Sequence, residues 1–120
     1  MNDDTFENLE VWKEAIELGA QVYELFRECK DWEFRGQIQR AAVSISNNIA
    51  EGYERSSNAE FIRFLDIARG SCGEVRSQAY LGLRVKLLSE QNAHPLIADA
   101  KRLSKRIARL MEVRRKDFGA

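Results

Sequence analysis

Residues 9–29 read LEVWKEAIELGAQVYELFREC, and the spacing of apolar side chains in this stretch decides the fold class. Leu9, Trp12, Ile16, Gly19, Tyr23 and Phe26 recur at alternating steps of three and four, the spacing of one helix face. Val11, Ala15, Leu18, Val22 and Leu25 form a second row beside it. Two adjacent apolar rows are wider than a simple bundle needs, so the surplus is free to reach a neighbouring subunit. The opposite side, Glu10, Glu14, Glu17, Gln21, Glu24 and Glu28, is a polar ridge that is almost wholly acidic.

Working outward, the same periodicity returns three times. Asp31 can cap a second helix over 32–51 by accepting a hydrogen bond from a free first-turn N–H. Its core stripe is Phe34, Ile38, Ala41, Ala42, Ile45 and Ile49, and Gly52 follows where a left-handed terminal residue is wanted. Ser57-Asn58-Ala59-Glu60 has capping-box spacing and opens a long third helix over 58–88. Its seam is Phe61, Leu65, Ala68, Cys72, Val75 and Ala79. Gly70 and Gly73 interrupt it, each costing about 1 kcal/mol against Ala, which predicts a close backbone approach by another helix. A fourth helix is expected over 95–115, starting near Pro95 because proline is well tolerated only in a first turn. Leu96, Ala100, Leu103, Ile107 and Leu110 form its seam, and the tail Arg114-Arg115-Lys116 is expected to fray.

Four amphipathic helices with short connections fold most simply as an all-α, antiparallel, up-down-up-down four-helix bundle. The 120 residues make a single domain, 1–120, with one core. At about 1.5 Å per residue the third helix reaches roughly 40 Å, long for so small a domain. No apolar run approaches the roughly 20 residues of a membrane span, and the acidic opening Met1-Asn2-Asp3-Asp4 has no signal segment, so a cytoplasmic location is expected.

The composition argues against catalysis. A di-iron bundle needs several inward Glu and two Glu-x-x-His motifs, whereas this chain has one His, and Gln91 stands where the Glu would be. His94 beside Pro95 reads as a solvated or capping residue, and no Gly-rich phosphate loop is present. Cys29 and Cys72 are too few for a zinc pattern or a disulfide framework. Neither cofactor nor metal is called for, no small-molecule substrate is identified, and a ligand pocket between helices is a third option.

Charge is the more informative property. Nineteen basic and nineteen acidic residues cancel, but unevenly. Residues 1–33 hold three basic and ten acidic side chains, and residues 101–120 hold eight and two. Lys101, Arg102, Lys105, Arg106 and Arg109 form the polar side of the fourth helix. They could track the phosphates of RNA or DNA by releasing counterions, meet an acidic protein, or simply face solvent and the acidic ridge of the first helix. A second polar group comprises Arg40, Asn47, Asn48 and Glu51 on the second helix with Glu74 on the third. It reads either as a recognition patch or as a buried hydrogen-bonded network holding helices in register.

The stretch Arg40-Ala41-Ala42-Val43-Ser44-Ile45-Ser46-Asn47-Asn48-Ile49-Ala50-Glu51-Gly52 continues into Glu60-Phe61-Ile62-Arg63-Phe64-Leu65 and Ala68-Arg69-Gly70-Ser71. With Phe6, Leu9-Glu10-Val11-Trp12 and Ala15 upstream, it resembles the 23S ribosomal RNA intervening-sequence proteins, relatives of the accessory variability proteins of diversity-generating retroelements. The likeness covers about residues 6–90. It implies a bacterial four-helix bundle assembling into a ring-like homopentamer. In the retroelement branch it implies a basic pentamer that binds nucleic acid, from which this chain departs by its neutral balance. Arg40, Asn48, Glu51, Gly52, Arg69, Gly70, Ser71 and Glu74 fall on recurring family positions, as structural or interface residues. The expected function is therefore a non-enzymatic, self-assembling interaction or scaffold protein, with nucleic-acid binding by the fourth helix as the alternative.

Overall fold

The computed structural model describes residues 5–118. A single 3-10 turn, Phe6–Asn8, leads into α1 (Glu10–Leu25), α2 (Trp32–Glu54), α3 (Asn58–Arg84) and α4 (Glu90–Phe118). The predicted caps form: the Phe34 N–H donates to Asp31 Oδ1 at 3.1 Å, and the Glu60 N–H to Ser57 Oγ at 3.1 Å. Each helix packs against its two neighbours in a closed square, and among the described residues the backbones of the diagonal pairs α1–α3 and α2–α4 stay more than 8 Å apart. This is the antiparallel up-down-up-down bundle, measuring 46 × 22 × 22 Å.

The seams read from the sequence meet in one core. Ile38, Ile45, Ile49, Leu65, Leu96, Leu103 and Ile107 are fully buried. Burial of such a side chain contributes roughly 1.5–3 kcal/mol before conformational entropy is set against it. Of the two α1 rows, the one built from Val11, Ala15, Leu18 and Val22 faces the core. Phe26 and Phe34 stack at 5.6 Å where α1 turns into α2, and Phe6 lies edge-on against Trp12 at 5.2 Å.

Helix boundaries differ from the expected 9–29, 32–51, 58–88 and 95–115, each for a local reason. α1 stops at Leu25 because the chain must turn there to bring buried Phe26 against Phe34. α2 runs through Gly52 to Glu54, so Gly52 is not a left-handed cap. A Cβ there would lie 2.5 Å from Phe64 Cβ, so this glycine permits a close approach of α2 to α3. α3 ends at Arg84 in a Schellman turn: the Leu87 N–H reaches Gly82 O at 2.8 Å and the Lys86 N–H reaches Leu83 O at 3.2 Å. Lys86 occupies the left-handed position, φ 66°, that the motif usually gives to glycine.

α4 starts five residues earlier than Pro95. The Ser89 hydroxyl accepts from the Asn92 N–H at 3.2 Å, and Pro95 then sits in the second turn. Its missing N–H leaves the Gln91 carbonyl unpaired within the helix, which is tolerable because Gln91 is exposed to water. The other end is helical to Phe118, and Arg114 is tied down there. Its Nε donates to Asn58 Oδ1 at 2.8 Å and its carbonyl accepts from Asn58 Nδ2 at 3.0 Å. α3 is long as expected, at 27 residues, and α4 is longer, at 29. The acidic opening at residues 1–4 lies outside the described residues.

Candidate functional site

The polar group on α2 and α3 separates into three parts. Ser71 is buried, and its hydroxyl shares a 2.8 Å hydrogen bond with that of Ser44. Half-buried Asn48 donates to both the Ser44 carbonyl (2.8 Å) and its hydroxyl (2.9 Å). These three side chains are a register-holding network between helices. Glu51 and Arg69 are exposed and spent on their own helices, accepting from Arg55 at 2.9 Å and donating to Asp66 at 3.0 Å. Arg40, Asn47 and Glu74 face solvent. Arg40 of α2 and Glu74 of α3 both line a 390 Å³ groove with Ala41, Ser44 and Ser77, and neither has an ion-pair partner among the described residues. The sequence grouped them as one patch; the bundle divides it between interior and surface.

The predicted basic residues of α4 are all exposed but are not equivalent. Arg106 reaches across to Glu14 of α1, so the acidic ridge and the basic face do meet within one chain. Arg102 pairs with Asp99 at 3.0 Å on its own helix. Lys101, Lys105 and Arg109, at successive steps of four, form an outward row about 12 Å long. None of the three has an ion-pair partner among the described residues.

The row from Leu9 to Phe26 is covered at its ends, where Leu9 and Trp12 pack on the core and Phe26 is buried, and open in its middle. Ile16 and Tyr23 remain 41% and 46% exposed, and Val43 of α2 beside them 38%. Gly19 sits between Ile16 and Tyr23, and a Cβ built on it would meet nothing within 4 Å. Single exposed apolar side chains are ordinary; three on two adjacent helices, with Tyr23 and Val43 lining one groove, are the candidate contact surface.

With these surfaces described, comparison with known proteins becomes informative. The 23S rRNA-intervening sequence protein family matches residues 7–109. The chain belongs to this family. A solved structure from Bacteroides thetaiotaomicron VPI-5482, of a protein with unknown function from the S23 ribosomal protein family, has the same fold. Its TM-score is 0.79 at 24% identity, covering 84% of this chain and 97% of that one. No curated protein matches.

In this member of the 23S rRNA-intervening sequence protein family, no group of three or more His, Cys, Asp or Glu that could hold a metal occurs among the described residues. No helix among them is long and apolar enough to cross a membrane. Burial pushes the Cys72 thiol up to about 12, which keeps it un-ionised and unreactive at neutral pH. Hydrogen bonds from Arg27 and Arg63 hold the carboxyls of Glu24 and Glu60 below the usual carboxylate range.

Two features escaped the sequence reading. Gly70 and Gly73 predict a close backbone approach by another helix, yet within the chain a Cβ on either would touch nothing within 4 Å. Gly70 instead lies on an outward stripe of α3, Ile67-Gly70-Glu74-Ser77-Leu81, whose members are all exposed. The three-and-four spacing of that stripe was available in the sequence, but the buried seam from Phe61 to Ala79 gave the stronger signal.

Proposed function

We propose that this protein is a non-catalytic subunit of a homo-oligomer, serving as an interaction or scaffold protein. The observation that carries the reading is the exposure of Ile16 and Tyr23 on α1, whose other apolar row already packs the core, together with that of Val43 on α2. A ring-like homopentamer is the assembly that the family resemblance implies. The reading includes a cytoplasmic location, supported by two unbridged cysteines, the usage of a reducing compartment. Light scattering on the eluting protein tests it: the mass should be a multiple of the 13.8 kDa chain. A monomer at micromolar concentration would end this reading.

A second reading rests on a separate observation. The row Lys101, Lys105 and Arg109 presents three cations at regular spacing without internal partners among the described residues. Repeated around an assembly, the row would form a phosphate-tracking surface for RNA or DNA. Binding would then fall steeply with salt, and reversal of Lys105 and Arg109 to Glu would abolish it. Failure of the wild-type protein to retain structured RNA at low salt would dispose of this second reading.

A further inference from the structure

The groove between α2 and α3 carries an order that packing alone does not require. The two helices run antiparallel, and at one point Gln78 Nε2 donates to Gln37 Oε1 at 3.1 Å. Seven residues along each helix, the hydroxyls of Ser44 and Ser71 share their 2.8 Å hydrogen bond. These are two closed rungs of one ladder. The rung midway between them falls to Arg40 and Glu74, and it is open. Both residues line the groove, yet they make no ion pair with each other. Arg40 lies back along its own helix instead. A Cβ on Gly36 would stand 3.3 Å from Arg40 Nη1, so the bare backbone there gives the guanidinium its room. In the same groove Gln78 Oε1 is buried and accepts no hydrogen bond among the described residues. A buried acceptor is costly until a donor reaches it.

We propose that this groove is a binding site for a small zwitterion, an α-amino acid with a short polar side chain. The lining selects that class. Arg40 offers paired N–H donors to a carboxylate, and Glu74 on the facing helix offers acceptors to an ammonium. Packed helices lie about 8–10 Å apart, so one small molecule seated between them is within reach of both charged ends. A lone anion would be drawn to Arg40 but repelled by Glu74, and a lone cation the reverse. Apart from Ala41 every lining residue is polar, so a hydrophobic side chain on the ligand would find no wall to cover it. The Ser77 hydroxyl and the unpaired Gln78 Oε1 suit a hydroxyl or amide in its place. At 390 Å³ the groove lies at the small end of ligand sites, which run from about 300 to 1,000 Å³. The site needs nothing from a second copy and stands apart from the self-assembly reading.

Isothermal titration calorimetry on the full chain tests it with three probes, L-serine, L-asparagine and L-glutamine. At least one should bind with a dissociation constant of about 1 mM or below, the strength open to so few heavy atoms. The N-acetyl derivative of that probe lacks the ammonium, and its C-terminal carboxamide lacks the carboxylate. Each should bind roughly tenfold or more weakly than the parent. Arg40→Gln and Glu74→Gln, both at exposed positions, should weaken binding to the same degree with helix content unchanged by circular dichroism. The proposal is overturned if none of the three probes binds, if either derivative binds as well as its parent, or if either variant binds like the wild type. Should a variant lose its helices, the two derivatives still decide.

Discussion

Gly52 shows how one residue type can serve two unlike purposes. At the end of an apolar stripe glycine usually supplies a left-handed cap; here it is helical and supplies clearance, with the Phe64 Cβ 2.5 Å from where its own Cβ would be. The two roles separate on substitution. A left-handed position accepts Asn better than Ala, whereas a packed position should suffer more from Asn. We expect Gly52→Ala to destabilise by about 1–3 kcal/mol, as overpacking does, and Gly52→Asn by more, read from urea midpoints. Cys72 gives a second prediction at this scale. Its thiol stays protonated in the fold to about pH 12 but ionises in the unfolded chain from about pH 9. Its contribution is therefore full below pH 9 and declines as pH rises toward 12. Wild-type stability should drop more between pH 8 and pH 10.5 than that of Cys72→Ala, and equal drops would contradict the assignment.

At the scale of elements, the four helices and their seams were legible because apolar periodicity is a property of each segment alone. The ends were not. α4 begins at Glu90 because Ser89 caps it, and Pro95 is carried in the second turn only because water can reach Gln91. The tail of α4 persists because Asn58, more than fifty residues away, grips Arg114. Pairings of that kind depend on which elements become neighbours and leave no local mark. The site was split in the same way: the basic side of α4 could be read directly, but not that Arg106 would be taken up by Glu14. That pair joins the first helix to the last. A double-mutant cycle with Glu14→Gln and Arg106→Gln should give a coupling of about 0.5–1 kcal/mol that shrinks as salt is raised, since both groups are partly exposed.

Over the whole molecule, the helices are held unequally. α3 packs along its length against α2 and α4, whereas α1, at 16 residues, is the shortest and lies along only part of the 46 Å bundle. Elements with less buried contact open at lower free energy. Amide exchange should therefore be fastest in α1 among the four helices. Its protection should also rise with protein concentration, because docking by the Ile16 and Tyr23 side would hold α1 closed. Exchange independent of concentration over a range where the mass changes would separate α1 from the contact.

The partly covered first helix also bears on how such a protein is supervised. A copy without neighbours would present both a loosely held helix and a largely exposed 27–31 connection, the kind of substrate that proteases cut first. An assembled copy would hide the helix. Limited trypsin digestion of an Ile16→Glu variant beside the wild type would expose the difference as early cleavage at Arg27 or Lys30. Surplus subunits would then be cleared by the same surface that recruits them, and the amount of free chain would be held down without any separate regulator.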